Sequence, residues 1–169
     1  LVALNRTLRE AGHYDSTCPE PDLLVLLDLV ALGTVCDVVP LTGLNRALTV
    51  QGLKVMAGRG NIGLAALSDS AGLDQAPTAY HVGYLLGPRV NAGGRVGESS
   101  LGIRLLSTSD RDAADAIAAH LGELNKERQA IEADVLDAAL AQIEARGETP
   151  APVLIAAGMG WHAGVVGIV

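Results

Sequence analysis

The sequence predicts a helix-rich α/β protein, and three observations support this prediction. Nearly half of the 169 residues are hydrophobic, and Ala and Leu, both strong helix formers, are abundant while Phe is absent. Residues 110–146 contain no Pro and a single Gly, which predicts one long helix. The short apolar run 153–157 is followed by a Gly-rich turn at 158–160, and this pattern predicts one buried strand.

Six shorter helices are predicted before the long one. Pro21 suits the start of the second helix, and Thr42 is a candidate cap for the third. Gly12 and Gly72 are positioned to end the first and the fourth. The predicted helices cover residues 1–10, 22–38, 43–57, 62–71, 78–86 and 98–106.

The apolar run 23–41 is too interrupted to cross a membrane. Asp28 and Asp37 lie within it, and Pro40 ends it. A buried helix is the preferred interpretation, and a strand over 23–27 remains open because periodicity does not separate the two. An ionised carboxylate in such surroundings requires a hydrogen-bonding partner, a cation or a metal.

The long helix carries one apolar stripe and is expected to connect two lobes. Ser109, with Asp112 three residues later, resembles a capping box at its start. A helix of about 37 residues spans about 55 Å, more than one small lobe requires. Arg128 occupies a gap in the stripe, and neighbouring Glu and Lys residues suggest a solvated, charge-paired face. The stripe consists of Ile117, Leu121, Leu124, Ile131, Val135 and Ala138.

Charge and cysteine content restrict the function classes. The formal charge of −7 and the scarcity of aromatic residues argue mildly against nucleic-acid binding, although the location of charge matters more than its sum. Cys18 and Cys36 have no metal-binding or disulfide spacing, so we expect reduced thiols and a cytoplasmic protein.

The sequence begins with Leu1 and not with an initiator Met, and it stops within the apolar run 165–169, so we expect an internal fragment of a larger protein.

The glycine-rich segment 87–97 is the leading candidate for phosphate binding. It is predicted to be a loop that presents Arg89, Asn91 and Arg95 among residues with small side chains. Glycine allows close backbone approach, and the planar arginine fork matches phosphate oxygens. A structural connector with solvated arginines explains the same composition equally well.

The C-terminal segment 158–169 places Trp161 and His162 among further glycines. His162 is a candidate phosphate donor or proton carrier, although a lone histidine is more often structural. The glycine spacing also matches a loose dinucleotide-binding pattern after a predicted strand. Trp and His are too bulky for the close approach of a pyrophosphate, which disfavours that interpretation.

Asp37 is the leading candidate for a metal ligand. Carboxylate oxygens are the ligands that Mg²⁺ and Mn²⁺ prefer. No further acidic or histidine motif accompanies it, so the chain alone does not predict a complete metal site. A helix residue that caps a neighbour or pairs with an arginine is the alternative.

Three blocks in this order resemble the DHH phosphoesterase superfamily, in particular its branch of single-stranded-DNA-specific exonucleases. Residues 29–41 resemble the motif whose aspartate ligates the catalytic metals. Residues 87–95 resemble a GPR-x-NAAGR block, with Gly93 where Ala is more usual, and residues 160–168 resemble a GWH-x-GV-x-GI block. The match extends over essentially the whole chain.

The resemblance implies a 5′-3′ exonuclease of DNA repair and recombination that uses Mn²⁺ or Mg²⁺ in a two-metal mechanism. It implies Asp37 as a metal ligand, and Arg89, Asn91, Arg95 and His162 as contacts to DNA or the scissile phosphate. The implied partners are single-stranded DNA, a helicase and a single-strand-binding protein. No membrane is implied. The family's other metal-binding motifs are absent from this sequence, so we expect the chain alone to be inactive.

The implied architecture has three parts. Residues 1–108 correspond to the C-terminal part of a DHH catalytic lobe, residues 109–148 to the long connecting helix, and residues 149–169 to the start of a DHH-associated lobe. Two rival functions remain open. One is a DHH phosphodiesterase of oligonucleotides or cyclic dinucleotides, and the other is a non-catalytic nucleic-acid-binding fragment.

Overall fold

The computed structural model describes residues 1–147 and 153–169, and every regular element in these ranges is helical. This confirms the helix-rich character of the prediction. Short 3₁₀ helices span Leu23–Leu26 and Val166–Ile168, and a π-helical turn spans Val82–Leu86. The α-helices are α1 (Val2–Glu10), α2 (Leu27–Cys36), α3 (Gly43–Ala57), α4 (Ile62–Ser70), α5 (Ala79–His81), α6 (Gly87–Val96), α7 (Leu101–Ser107) and α8 (Arg111–Ala145).

Local signals set many of the helix ends. Helix α3 has the predicted bounds, although the Thr42 side chain makes no capping hydrogen bond. Gly72 follows α4 with a φ of 70°, the left-handed conformation that glycine adopts without strain. The cap of α8 is Asp110 rather than Ser109, because the Asp110 carboxylate accepts hydrogen bonds from the backbone N–H groups of Asp112 and Ala113.

The predicted helix over 22–38 is divided in two. Asp22 caps the 3₁₀ helix, and the α-helical hydrogen bonding begins only at Leu27. Helix α2 then packs against α3 at close range. A Cβ atom on Gly52 would overlap the Leu27 carbonyl oxygen and lie 2.7 Å from the Ala31 Cβ, so only glycine permits this approach.

The core lies between α8 and the shorter helices α4, α6 and α7. Leu67, Leu86, Leu105 and Leu121 are its largest fully buried leucine side chains. Leu121 belongs to the predicted apolar stripe, half of which, Ile117, Leu121 and Leu124, faces this core along the first half of α8. At 35 residues, α8 extends about 52 Å, so its second half continues beyond the short helices.

The predicted strand over 153–157 is wrong. The backbone there is irregular and pairs with no strand among the described residues, and Val153, Leu154 and Ile155 are 60–70% exposed. Side chains of α8 take some of the backbone groups instead. Gln142 exchanges two hydrogen bonds with Ala157, at 2.9 and 3.2 Å, and Arg146 donates to the Ile155 carbonyl. The predicted lobe boundary at 149 lies outside the described residues.

None of the helices within 1–147 and 153–169 is both long enough and apolar enough to span a membrane.

Candidate functional site

The glycine-rich segment 87–97 is a helix and not the predicted loop. Gly87 and Gly97 allow close packing between helices. A Cβ atom on Gly87 would lie 2.5 Å from the Cys36 Sγ, and one on Gly97 would lie 2.6 Å from a Leu124 methyl group. The low helix propensity of glycine is therefore outweighed by contacts that only a residue without a side chain permits.

A cavity of about 220 Å³ opens beside this helix. Four parts of the chain enclose it: the end of α2, the π-helical turn with α6, the second half of α8, and the C-terminal 3₁₀ helix. Pro88, Asn91 and Arg95 of α6 reach it together because spacings of three and four residues share one helix face. The cavity is lined by Cys36, Gly83, Gly87, Pro88, Asn91, Arg95, Arg128, Glu132 and Ile168.

Arg95 joins the two glycine-rich segments. Its Nη1 donates to the Gly164 carbonyl oxygen at 3.0 Å, and a Cβ atom on Gly164 would overlap the Arg95 carbonyl oxygen. This is the only hydrogen bond of the guanidinium to the described residues. Arg95 therefore anchors the C-terminal segment and retains donors for a ligand in the cavity.

Arg128 and Glu132 were not predicted as site residues. The sequence predicts a solvated, charge-paired face for both residues; the charge pairing is confirmed, whereas the solvation is wrong because the Arg128 side chain is largely buried. The Arg128 side chain is only 12% exposed, donates through Nη1 to Glu132, and contacts the Asn125 Oδ1 at 3.3 Å. The gap that Arg128 makes in the apolar stripe was the available signal, because a charge on the buried side of a helix requires partners.

Arg89 lies away from this cavity. Its Nη1 donates to the Leu85 carbonyl oxygen at 2.6 Å, and its buried Nε has no hydrogen-bond partner among the described residues. Burial lowers the pKa of the Arg89 guanidinium. The structure thus brings together two of the three α6 candidates, Asn91 and Arg95, and not the third.

Asp37 is exposed at the end of α2, next to the cavity-lining Cys36. Its carboxylate makes no hydrogen bond to the described residues, and Val38 follows with a φ of 55°. Across 1–147 and 153–169, no group of three or more His, Cys, Asp or Glu residues is arranged to hold a metal. The donor set here therefore fits one oxygen ligand of a metal and not a complete site.

Asp28, the other carboxylate of the apolar run, is 2% exposed. Its Oδ1 accepts a hydrogen bond from the Leu29 backbone N–H at 2.7 Å, and burial raises its pKa. The partner that the sequence required is thus a backbone amide.

His162 lines a separate cavity of about 370 Å³ with Trp161 and the residues Ile131, Asp134 and Val135 of α8. Its Nδ1 accepts a hydrogen bond from the Gly164 backbone N–H at 3.1 Å. Because Gly164 also contacts Arg95, His162 is connected to the first cavity through one short turn.

No protein-family model matches the chain. It is 42% identical over 174 aligned positions to the single-stranded-DNA-specific exonuclease RecJ of Dickeya dadantii, which covers 99% of this chain and 30% of that protein. The Escherichia coli protein of the same name is 41% identical with the same coverage, and the Thermus thermophilus protein is 36% identical over 88% of this chain and 22% of its own length. The chain spans about three tenths of the length of the first two relatives.

Solved structures give the same result. RecJ from Thermus thermophilus in complex with Mn²⁺ matches with a TM-score of 0.73 and 34% identity, over 90% of this chain and 22% of that one. An exonuclease RecJ bound to manganese matches with a TM-score of 0.76 and 36% identity, over 89% of this chain and 37% of that one. Sequence and fold therefore agree that the chain belongs to the RecJ family.

Proposed function

We propose that the protein containing this chain is a metal-dependent exonuclease that degrades single-stranded DNA from the 5′ end. The observation that carries the proposal is the cavity where Asn91, Arg95 and Arg128 converge beside Asp37, in a chain of the RecJ family. Its relatives are named as single-stranded-DNA-specific exonucleases, and two solved ones hold Mn²⁺. The cytoplasm is the proposed location, and a helicase and a single-strand-binding protein are the proposed partners.

The cavity is suited to one phosphate group with part of its sugar. Its volume of about 220 Å³ is smaller than that of pockets that enclose drug-sized ligands, which is about 300–1,000 Å³. Arginine forks and an asparagine amide supply donors to phosphate oxygens, whereas Glu132 neutralises part of the positive charge. The overall charge of −7 is compatible with this, because binding depends on the local field.

Asp37 is the residue of this chain that would hold a catalytic Mn²⁺ or Mg²⁺. When bound, such ions supply an activated water and neutralise charge that develops on the phosphate. Arg95 and Asn91 would orient the phosphate from the α6 side. Because the described residues contain no group of three or more His, Cys, Asp or Glu side chains arranged to hold a metal, we propose that the 169 residues alone hydrolyse no DNA.

The domain division is part of the proposal. Residues 1–108 would complete a catalytic lobe, residues 109–148 would connect the lobes, and residues 149–169 would begin the second lobe. His162 and Arg89 remain proposed DNA contacts, His162 through the turn at Gly164, and Arg89 only if it exchanges its bond to Leu85 for one to DNA.

The test compares Asp37→Ala with Asp74→Ala in the full-length protein. Asp74 is likewise exposed and makes no side-chain hydrogen bond to the described residues, so it controls for the loss of one charge. The measurement is Mn²⁺-dependent release of nucleotides from 5′-phosphorylated single strands, with duplex DNA and a dinucleotide as further substrates. We expect Asp37→Ala to lose at least about 10²-fold in rate, in line with the loss of a group that stabilises transition-state charge, and Asp74→Ala to lose none.

Three results would contradict parts of this proposal. Undiminished cleavage by Asp37→Ala would remove the metal role of Asp37. Turnover of the dinucleotide alone would favour a small-substrate phosphodiesterase. Absence of any metal-dependent cleavage by the unaltered protein would favour a non-catalytic binding protein.

A further inference from the structure

Two of the three tyrosines form an exposed pair next to the cavity. Tyr80 is 67% and Tyr84 75% exposed, their ring centroids are 5.1 Å apart, and their planes are inclined by 30°. The whole chain contains no Phe and one Trp, so this pair concentrates half of its Phe, Tyr and Trp side chains on one patch of surface. Aromatic rings of this size are usually buried, which makes an exposed pair a candidate contact surface.

The pair continues the helix face that lines the cavity. Helix α5, the π-helical turn and α6 follow one another without a gap, and Thr78 caps the start of this run. The spacing from Tyr80 to Tyr84, and from Tyr84 to Pro88, is four residues, and Asn91 and Arg95 follow at spacings of three and four. One side of the run therefore carries two aromatic rings first and phosphate-binding groups second.

The separation fits a polynucleotide. Asn91 follows Tyr84 by seven positions, or about 10 Å along a helix, which a few nucleotides span at about 3.4 Å per step in a stacked strand. Gly83 lies between the two tyrosines in the sequence and lines the cavity. It has no side chain that could stand between the cavity and the tyrosine rings. A strand with a phosphate at Asn91 and Arg95 would thus pass over the tyrosine pair.

We infer that Tyr80 and Tyr84 form a stacking site for a nucleobase of the single strand whose phosphate occupies the cavity. The inference rests on the proposed function and adds a base-binding site to it. A base presents a flat π face whatever its identity, so stacking provides affinity without sequence preference, as a general exonuclease requires. The neighbouring cavity presents the hydrogen-bond donors of Asn91, Arg95 and Arg128, which favours a nucleotide over an apolar protein segment as the occupant.

The test uses the full-length protein without metal, so that DNA binds but is not cut. Binding of single strands that carry one abasic position, moved stepwise from the 5′ end, is compared with that of the intact strand. For the unaltered protein we expect one or two positions at which loss of the base weakens binding about 5- to 150-fold, the range for one stacked base. Tyr84→Ala and Tyr80→Ala should weaken binding of the intact strand similarly and abolish the sensitivity at those positions.

Two variants separate stacking from folding. Tyr84→Trp retains an aromatic face and should retain the sensitivity. Ile103→Ala removes a side chain that is 66% exposed on α7 and should change neither value.

The inference is wrong if no abasic position weakens binding. It is also wrong if the tyrosine variants weaken binding of intact and abasic strands by the same factor relative to the unaltered protein, so that the sensitivity to the abasic position remains. That is the result expected when another protein segment covers the pair. These outcomes leave cleavage of single strands by the unaltered protein in place, whereas failure of the proposed function would remove that cleavage itself.

Discussion

The two glycine-rich segments, 87–97 and 158–168, each contain four glycines but differ in structure. The first is a helix in which Gly87 and Gly97 pack against other helices. The second is irregular up to its last turn, and Gly160 has a φ of 87°, a conformation that side chains rarely adopt. Glycine thus provides close packing in one segment and backbone freedom in the other, and surrounding contacts decide which.

The segments meet where Gly164 packs on the backbone of Arg95. The helix supplies a rigid surface, and the irregular segment docks on it through one glycine and one side-chain hydrogen bond. We therefore expect the irregular segment to need the helix for its conformation, whereas the helix forms without the irregular segment.

The largest effect is expected from Gly164→Ala. The new Cβ would overlap the Arg95 carbonyl oxygen, and backbone atoms cannot yield as a flexible side chain can. We expect the free energy of unfolding to fall by about 1–3 kcal/mol, as for other overpacked sites. Urea denaturation of the chain measures this, with Gly167→Ala as the control because its Cβ would meet nothing within 4 Å.

Equal stability of the Gly164 and Gly167 variants would mean that the C-terminal segment contributes nothing by docking on α6.

The fold was predictable where local signals decide it. The left-handed Gly72 after α4 and the length of α8 follow from a glycine and from the absence of Pro, and α3 has its predicted bounds although Thr42 makes no capping hydrogen bond. Such signals act within a few residues of a helix end, so the sequence contains them.

Predictions failed where distant residues decide the outcome. The helix at 87–96 depends on Cys36 of α2 and Leu124 of α8, which are tens of residues away in the chain. The same holds for the site. Asn91 and Arg95 were identified by residue type, whereas Arg128 and Glu132 join the cavity only because α8 passes beside α6. The segment 153–157 has the pattern of a strand, but a strand also requires a partner.

An effect of intermediate size is expected from Arg95→Ala. This substitution removes both the hydrogen bond to the Gly164 carbonyl oxygen and a proposed phosphate-binding group. In the full-length protein without metal, we expect weaker binding of single-stranded DNA. The slope of log affinity against log salt concentration should become shallower by about one unit, because each lost phosphate contact releases about one counterion fewer.

Arg89→Ala changes an arginine of the same helix that does not line the cavity. Because Arg89 donates to the Leu85 carbonyl and is half-buried, we expect its loss to lower stability and to make the salt slope shallower by less than the loss of Arg95 does. A slope that falls equally for both variants would show that Arg89 exchanges its bond to Leu85 for one to DNA.

The smallest effect is expected from Gly94→Ala. Gly94 is the exposed glycine of α6 at which a Cβ would meet nothing within 4 Å, so the substitution tests whether packing explains the glycines of this helix. In the free chain Ala should raise the free energy of unfolding by up to about 1 kcal/mol through its higher helix propensity. Urea denaturation measures this gain, and a loss of stability would show that Gly94 meets a constraint other than packing.

Gly94 is also three residues from Asn91 and adjacent to Arg95, on the side where the proposed strand lies. If DNA approaches the backbone there, Gly94→Ala should weaken DNA binding while it stabilises the protein, and that opposite response would identify a glycine retained for a ligand in a helix whose other glycines are retained for packing.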